Sequence, residues 1–289
     1  MYSQIAANKR NTVLLIVGFV VFIGVIGGLF AYMYDDYFIA IWVIVVAIVY
    51  AFFQYFAASK LAVSMAGGRK IEKKDNPRLY NIVENLSITT GLPMPEVYIV
   101  NDPSPNAFAT GRDPEHAVVA ATTGLLDLMD DKELSAVMAH EMSHVKNYDI
   151  RLDMIIFGLT CVVGVIADVG LRMMRYSSRR SRDDDQNPIV LLVGIVALVL
   201  APVVAAIGKM AISREREYLA DMSAVEITRY PEGMISALRK LGADKQPMKN
   251  QSSSMEAMYI KEPLSSRLFS THPSIDKRIE RLENAKTKF

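Results

Sequence analysis

Leu134-Ser135-Ala136-Val137-Met138-Ala139-His140-Glu141-Met142-Ser143-His144-Val145 is the stretch from which the rest of the chain is read. Leu134, Val137, Met138, Met142 and Val145 recur at the three- and four-residue spacing of one helix face. Asp130 followed by Glu133 resembles a capping box just upstream. The spacing therefore predicts a helix that opens at Asp130 and runs through His144. On that helix His140 and His144 stand one turn apart on a shared face, so both imidazoles can reach one metal ion. Glu141 lies about 100° further round and can take a proton from water without being a ligand. This H-E-x-x-H pattern is specific, because the chain holds only four histidines. The ion it suits is zinc, which takes a third protein ligand and, in hydrolytic sites, keeps one position open.

The third ligand must come from another element packed on this helix. Glu217 and Asp221 are the best candidates, again at i, i+4 on a predicted helix. One of the two can bind the metal while the other orients a ligand histidine through its second ring nitrogen. On its own such a pair more often lies on a solvated face; after H-E-x-x-H the balance reverses.

Composition places this centre beside a membrane. Hydrophobic residues make up 51% of the 289 and charged residues 22%, with a mean hydropathy of +0.20. That combination means apolar blocks separated by charged ones. The net charge of +1 gives no field for nucleic acid, so none is expected as a partner. Residues 11–34 and 37–59 carry no charge, and each run is longer than the roughly 20 residues a helix needs to cross a bilayer. Asp35-Asp36 forms the turn between them. Lys9 and Arg10 precede the pair, and Lys60, Arg69, Lys70, Lys73 and Lys74 follow it. By the positive-inside tendency both flanks face the cytoplasm.

From residue 75 the chain reads as soluble α and β structure. Asn76-Pro77 starts a helix that stops at Gly91-Leu92-Pro93. Glu96 to Asn101 and Ala117 to Thr122 read as strands, with Asn106 to Gly111 a further short one. Gly67-Gly68 looks like a linker. Residues 151–212 are apolar again around a run of five arginines and three aspartates, and two crossings of the membrane are favoured there over none. From Ser213 the chain is helical and polar, ending in a charged amphipathic helix at 274–286. The expected divisions are 1–60 (transmembrane hairpin), 61–150 (first part of the enzyme domain), 151–212 (second hydrophobic hairpin) and 213–289 (second part, with the third ligand).

The order and spacing of these features resemble the HtpX-type membrane proteases, bacterial relatives of the CAAX prenyl-protein endopeptidase. The likeness runs from the N-terminal hairpin through Asn106-Ala107-Phe108, the H-E-x-x-H at His140 to His144 and the E-x-x-x-D at Glu217 to Asp221, to Thr271-His272-Pro273. It implies a mainly α fold with a small sheet, a zincin-like (gluzincin) protease domain with transmembrane hairpins. It also implies one Zn2+ per chain on His140, His144 and Glu217, with Glu141 as catalytic base and Asp221 supporting a ligand. His272 is then a candidate contact to substrate or transition state, and Asn106, Ala107 and Phe108 a substrate-binding edge. The implied activity is that of a zinc metalloendopeptidase in the cell membrane, facing the cytoplasm and acting in quality control on unfolded or membrane proteins. A scaffold with a structural zinc site would need a fourth Cys or His nearby, and none is evident. A transporter would need more intramembrane ionisable residues than Asp168.

Overall fold

The computed structural model describes residues 2–159, 161, 172, 214–248, 259–260 and 273–286. The second hydrophobic hairpin, apart from its first residues, and His272 lie outside them.

The two uncharged runs are helices α1 (Tyr2–Tyr34) and α2 (Tyr37–Met65). At 33 and 29 residues they are about 50 and 43 Å long, more than the roughly 30 Å of a hydrocarbon layer. Val13, Val17, Val21, Val25 and Leu29 of α1 and Trp42, Val46, Val49 and Phe53 of α2 are exposed, which separates these helices from buried core helices of similar composition. Asp35 turns the chain at φ 52°, and the Asp36 side chain accepts from Phe38 N at 2.9 Å to cap α2. The hairpin is tight. A methyl group at Gly27 would meet Val43 Cβ at 2.9 Å, so only glycine lets the backbones approach this closely.

A four-stranded sheet follows, in the order β1 (Gly68–Lys70), β2 (Glu96–Val100), β4 (Ala117–Thr122), β3 (Ala107–Gly111). The β2–β4 pair is parallel and the outer pairs are antiparallel. Gly67-Gly68 is therefore more than a linker: Gly67 sits at φ 71° and Gly68 opens β1 opposite Val100. A three-residue strand with two charged side chains has no alternation to read, which is why periodicity misses it. β3 is an edge strand. Between β2 and β4 the register leaves a near-continuous apolar face, on which α3 (Pro77–Thr90) and α5 (Asp131–Lys146) close the core through Leu79, Val83, Val97, Val119, Leu134 and Met138. The short α4 (Thr123–Leu128) links β4 to α5. Past α5, residues 149–159 are helical again. The remaining helices are α6 (Arg214–Thr228), α7 (Pro231–Ala243) and α8 (Ile275–Ala285).

The start of α5 is fixed before its histidines are. Asp130 accepts from the N–H groups of Lys132 and Glu133, and Glu133 Oε2 accepts from Asp130 N at 2.9 Å. The same buried Glu133 accepts from Ser236 Oγ at 2.6 Å and Lys240 Nζ at 2.5 Å, tying α7 to α5. Burial pushes this carboxyl up, but those three donors outweigh it and hold it below the usual carboxylate range. A pKa lower in the folded than in the unfolded state gives stability that is complete above about 4.3 and is lost as pH falls through the folded value. Glu133→Gln is thus expected to destabilise the protein by about 1–3 kcal/mol at pH 7. Its unfolding curve in denaturant should converge on that of the parent only as pH falls through the folded value. A gap that persists unchanged into acid would remove the charge from the explanation.

Candidate metal centre

α5 and α6 cross with their polar faces together, and that crossing brings three donor groups to one point. His140 Nε2 and His144 Nε2 lie 3.2 Å apart. Glu217 Oε2 is 3.6 Å from His140 Nε2, and Glu217 Oε1 is 3.5 Å from His144 Nε2. Zinc–nitrogen and zinc–oxygen bonds of about 2.0–2.1 Å put tetrahedral ligand atoms roughly 3.3–3.4 Å from one another. The three observed separations bracket that value, so the donor set fits one small divalent cation with a position left open.

Each imidazole is oriented from behind. His140 Nδ1 is 3.0 Å from Asp221 Oδ1, and His144 Nδ1 is 2.9 Å from Asp149 Oδ2. A carboxylate can only accept, so each Nδ1 carries the hydrogen and each Nε2 presents its lone pair to the shared point. Burial lowers the basicity of His144, yet the Asp149 hydrogen bond and the Glu217 charge win and raise its pKa to about 10. For His140 the same contest, with Asp221 and Glu217 opposing burial, ends in a rise. A pocket that favours a proton on these nitrogens favours any cation there. Glu141 is buried next to them, and burial pushes its carboxyl up while the two histidines pull it down. That places it nearer the range a general base requires.

Behind the acids stand two arginines that the sequence reading did not single out. Arg278 of α8 is buried and donates through Nε and Nη2 to both oxygens of Asp221 at 2.8 and 2.6 Å; its Nη1 is 3.7 Å from Glu217 Oε2. Burial lifts the Asp221 carboxyl, but the Arg278 charge overrides it and the pKa falls. Arg216 reaches Asp149 at 3.4 Å and Asp153 at 3.7 Å. Asp149, which follows α5, is the partner of His144. One signal for Arg278 was present. It stands three residues after Ile275 and four before Leu282, inside the apolar stripe of α8, where a solvated arginine does not belong.

Residues 73–286 match Peptidase family M48. The chain belongs to that family. Among similar M48 proteins, a "Protease HtpX homolog" of Tropheryma whipplei (strain Twist) is 50% identical, with all of both chains covered. The "Protease HtpX homolog" of Ligilactobacillus salivarius (strain UCC118) is 46% identical over 98% of this chain and 99% of its own. The crystal structure of S. mikatae Ste24p superposes with a TM-score of 0.51 at 19% identity, covering 98% of this chain and 67% of that one; at that identity the likeness is one of fold. The expected class, a membrane zincin-like metalloprotease of mainly helical build, is borne out, with His140, His144 and Glu217 together as a possible metal site in the described residues. This M48 protein is a membrane protease.

The Asn106-Ala107-Phe108 segment lies on β3. Asn106 and Thr122 are a bonded pair, with Thr122 N on Asn106 O at 2.9 Å. By antiparallel alternation Phe108 and Thr110 also bond towards β4, while Ala107 and Ala109 turn their N–H and C=O groups to the outer edge. There Ala107 O accepts from Ile260 N at 3.1 Å, and Ala107 N reaches the Asn106 side chain at 3.1 Å. Among the described residues none bonds Ala109 along that edge. The Phe108 ring is buried against Tyr259, edge to face.

Proposed function

We propose that the chain is a zinc-dependent endopeptidase, with His140, His144 and Glu217 holding the ion and Glu141 as general base. The observation that carries this is the triangle of donor atoms at 3.2, 3.5 and 3.6 Å, with Glu141 buried beside it. A zinc ion held by these three residues would supply a Lewis acid for a peptide carbonyl and for water. Glu141 accepts a proton from the water and delivers it to the leaving amine, so one carboxylate serves both halves of the reaction. Asp221 and Asp149 keep the imidazoles in the tautomer that binds metal, and Arg278 keeps Asp221 ionised. The test is cleavage of unfolded casein by the purified full-length protein, read beside its zinc content. Its decisive variant is Glu141→Gln.

The active site is assigned to the cytoplasmic face. Asn8 touches Asp149, which puts the site at the end of the hairpin that carries Lys9, Arg10 and Lys60, the side the positive-inside tendency keeps in the cytoplasm. Two passes come from α1 and α2. Unfolded and membrane polypeptides are the substrates that suit a site beside a bilayer, and protein quality control is the role the HtpX-type resemblance supports.

Substrate is held as an added strand on β3, where main-chain bonds bind without reading side chains. The register chooses the positions at which to test this. Proline at Ala109 removes only an outward N–H, and at Ala107 it also removes the bond to the Asn106 side chain. Those variants should stay folded and keep zinc yet lose most casein cleavage. Proline at Phe108 or Thr110 breaks the ladder to β4 and should unfold the domain, seen as lost expression or a lowered melting temperature. Four variants that behave alike, whether tolerant or unfolded, would remove β3 as the substrate edge.

A further inference from the structure

Among the lipid-exposed residues of α1, Asn8 is an exception: it is 2% exposed, and so is its neighbour one turn on, Thr12, at 3%. Thr12 Oγ1 donates to Asn8 O at 2.9 Å. The Asn8 amide donates to Asn147 O at 2.9 Å and to Asp149 Oδ1 at 2.6 Å. Those acceptors flank a break in the chain. α5 ends at Lys146, Tyr148 turns at φ 61°, and residues 149–159 are helical again. The last carbonyls of a helix have no partner within it, and one Asn8 N–H satisfies Asn147 O while the amide also holds the first residue of the next helix. Lys9 adds its ammonium over the Tyr148 ring at 4.3 Å.

Asp149 is the group that this fixes. Its Oδ2 takes the His144 Nδ1 hydrogen, and its Oδ1 takes Asn8 and Arg216. Without the amide, Oδ1 keeps among the described residues the longer 3.4 Å contact to Arg216, and the carboxylate can rotate away from His144. We propose that Asn8 is a positioning residue for His144, acting through Asp149, so that the first membrane helix is built into the metal centre as well as anchoring it. The proposal rests on His144 being a metal ligand.

Zinc affinity of the purified full-length protein, read by competition with a coloured chelator, is the measurement, with casein cleavage alongside. Residues that orient a metal-binding histidine directly change affinity by about 10–100-fold. Asn8 stands one bond further out, so Asn8→Ala should weaken zinc binding by about three- to tenfold. Asn8→Asp, which sets carboxylate against carboxylate, should weaken it more. In an Asp149→Asn background the Asn8→Ala step should cost less than twofold. Leu15→Ala loosens the packing of α1 on Leu152 and Ile156 without touching Asp149, and should leave affinity at the parent value. Unchanged affinity in Asn8→Ala overturns the proposal. So does an equal loss in the Asp149→Asn background, or a matching loss in Leu15→Ala. His144→Ala separates the two readings: unchanged zinc affinity there rejects the ligand assignment itself, whereas lost zinc there with unchanged Asn8→Ala rejects only the positioning role.

Discussion

Glu141→Gln is expected to lose casein cleavage by roughly 10²–10⁴-fold, the range in which a positioned acid or base contributes, while keeping one zinc per chain. The amide is the same size as the carboxylate and can still fill the buried space next to His140 and His144. What it cannot do is accept a proton from water at neutral pH. The zinc content is the control that makes the result interpretable, because a folded, loaded, inactive enzyme isolates proton transfer. Activity within tenfold of the parent would sink the assignment of Glu141, and loss of zinc would move Glu141 into the ligand set.

The second large effect divides two carboxylates that the sequence presents as equivalents. Glu217→Ala should lose zinc and activity together, because one corner of the 3.2, 3.5 and 3.6 Å triangle disappears. Arg278 keeps Asp221 as a partner in that variant, so folding should survive. Asp221→Ala should act differently. It leaves the His140 Nδ1 hydrogen without its acceptor, weakening zinc by about 10–100-fold, and it strips the buried Arg278 of its paired carboxylate. An uncompensated buried charge costs about 3–5 kcal/mol, so Asp221→Ala should unfold at markedly lower denaturant than Glu217→Ala. Asp221→Asn, which keeps an acceptor for His140, is the milder variant for measuring affinity. Tight stoichiometric zinc in Glu217→Ala, or equal stability of the two alanine variants, would reverse the roles.

The parts of this molecule that were readable in sequence are those whose signal is local. The α5 helix carried its capping box, its apolar face and H-E-x-x-H within seventeen residues of chain, 130–146. α3 carried Asn76-Pro77 at one end and Gly91 at the other, and the structure shows the Asn76 cap on Leu79 N and Gly91 at φ 68°. The strands β2 and β4 were legible because their runs are apolar and bounded by turns. What escaped is what depends on pairing across distance. β1 exists only because β2 offers it an edge. α4 is six residues long, too short for a period. Arg216 went unmarked, since its burial shows only once its carboxylates are located, and Arg278 was marked only by its place in the apolar stripe of α8. Asp149 stands just past α5, and its bond to His144 depends on the left-handed turn at Tyr148, which a bulky residue rarely adopts.

The contributions to the centre are spread along the chain in a fixed order: Asn8, then His140, Glu141, His144 and Asp149, then Glu217 and Asp221, and last Arg278. A ribosome delivers them in that order, at about 5–20 residues per second. A nascent chain that has made the H-E-x-x-H helix therefore holds His140, Glu141 and His144 without Glu217. Even after Glu217 and Asp221 emerge, two acids are held without the arginine that keeps one of them ionised. The three donor groups are thus complete once α6 has been made, and the last part to arrive is their support, the Arg278 guanidinium on Asp221.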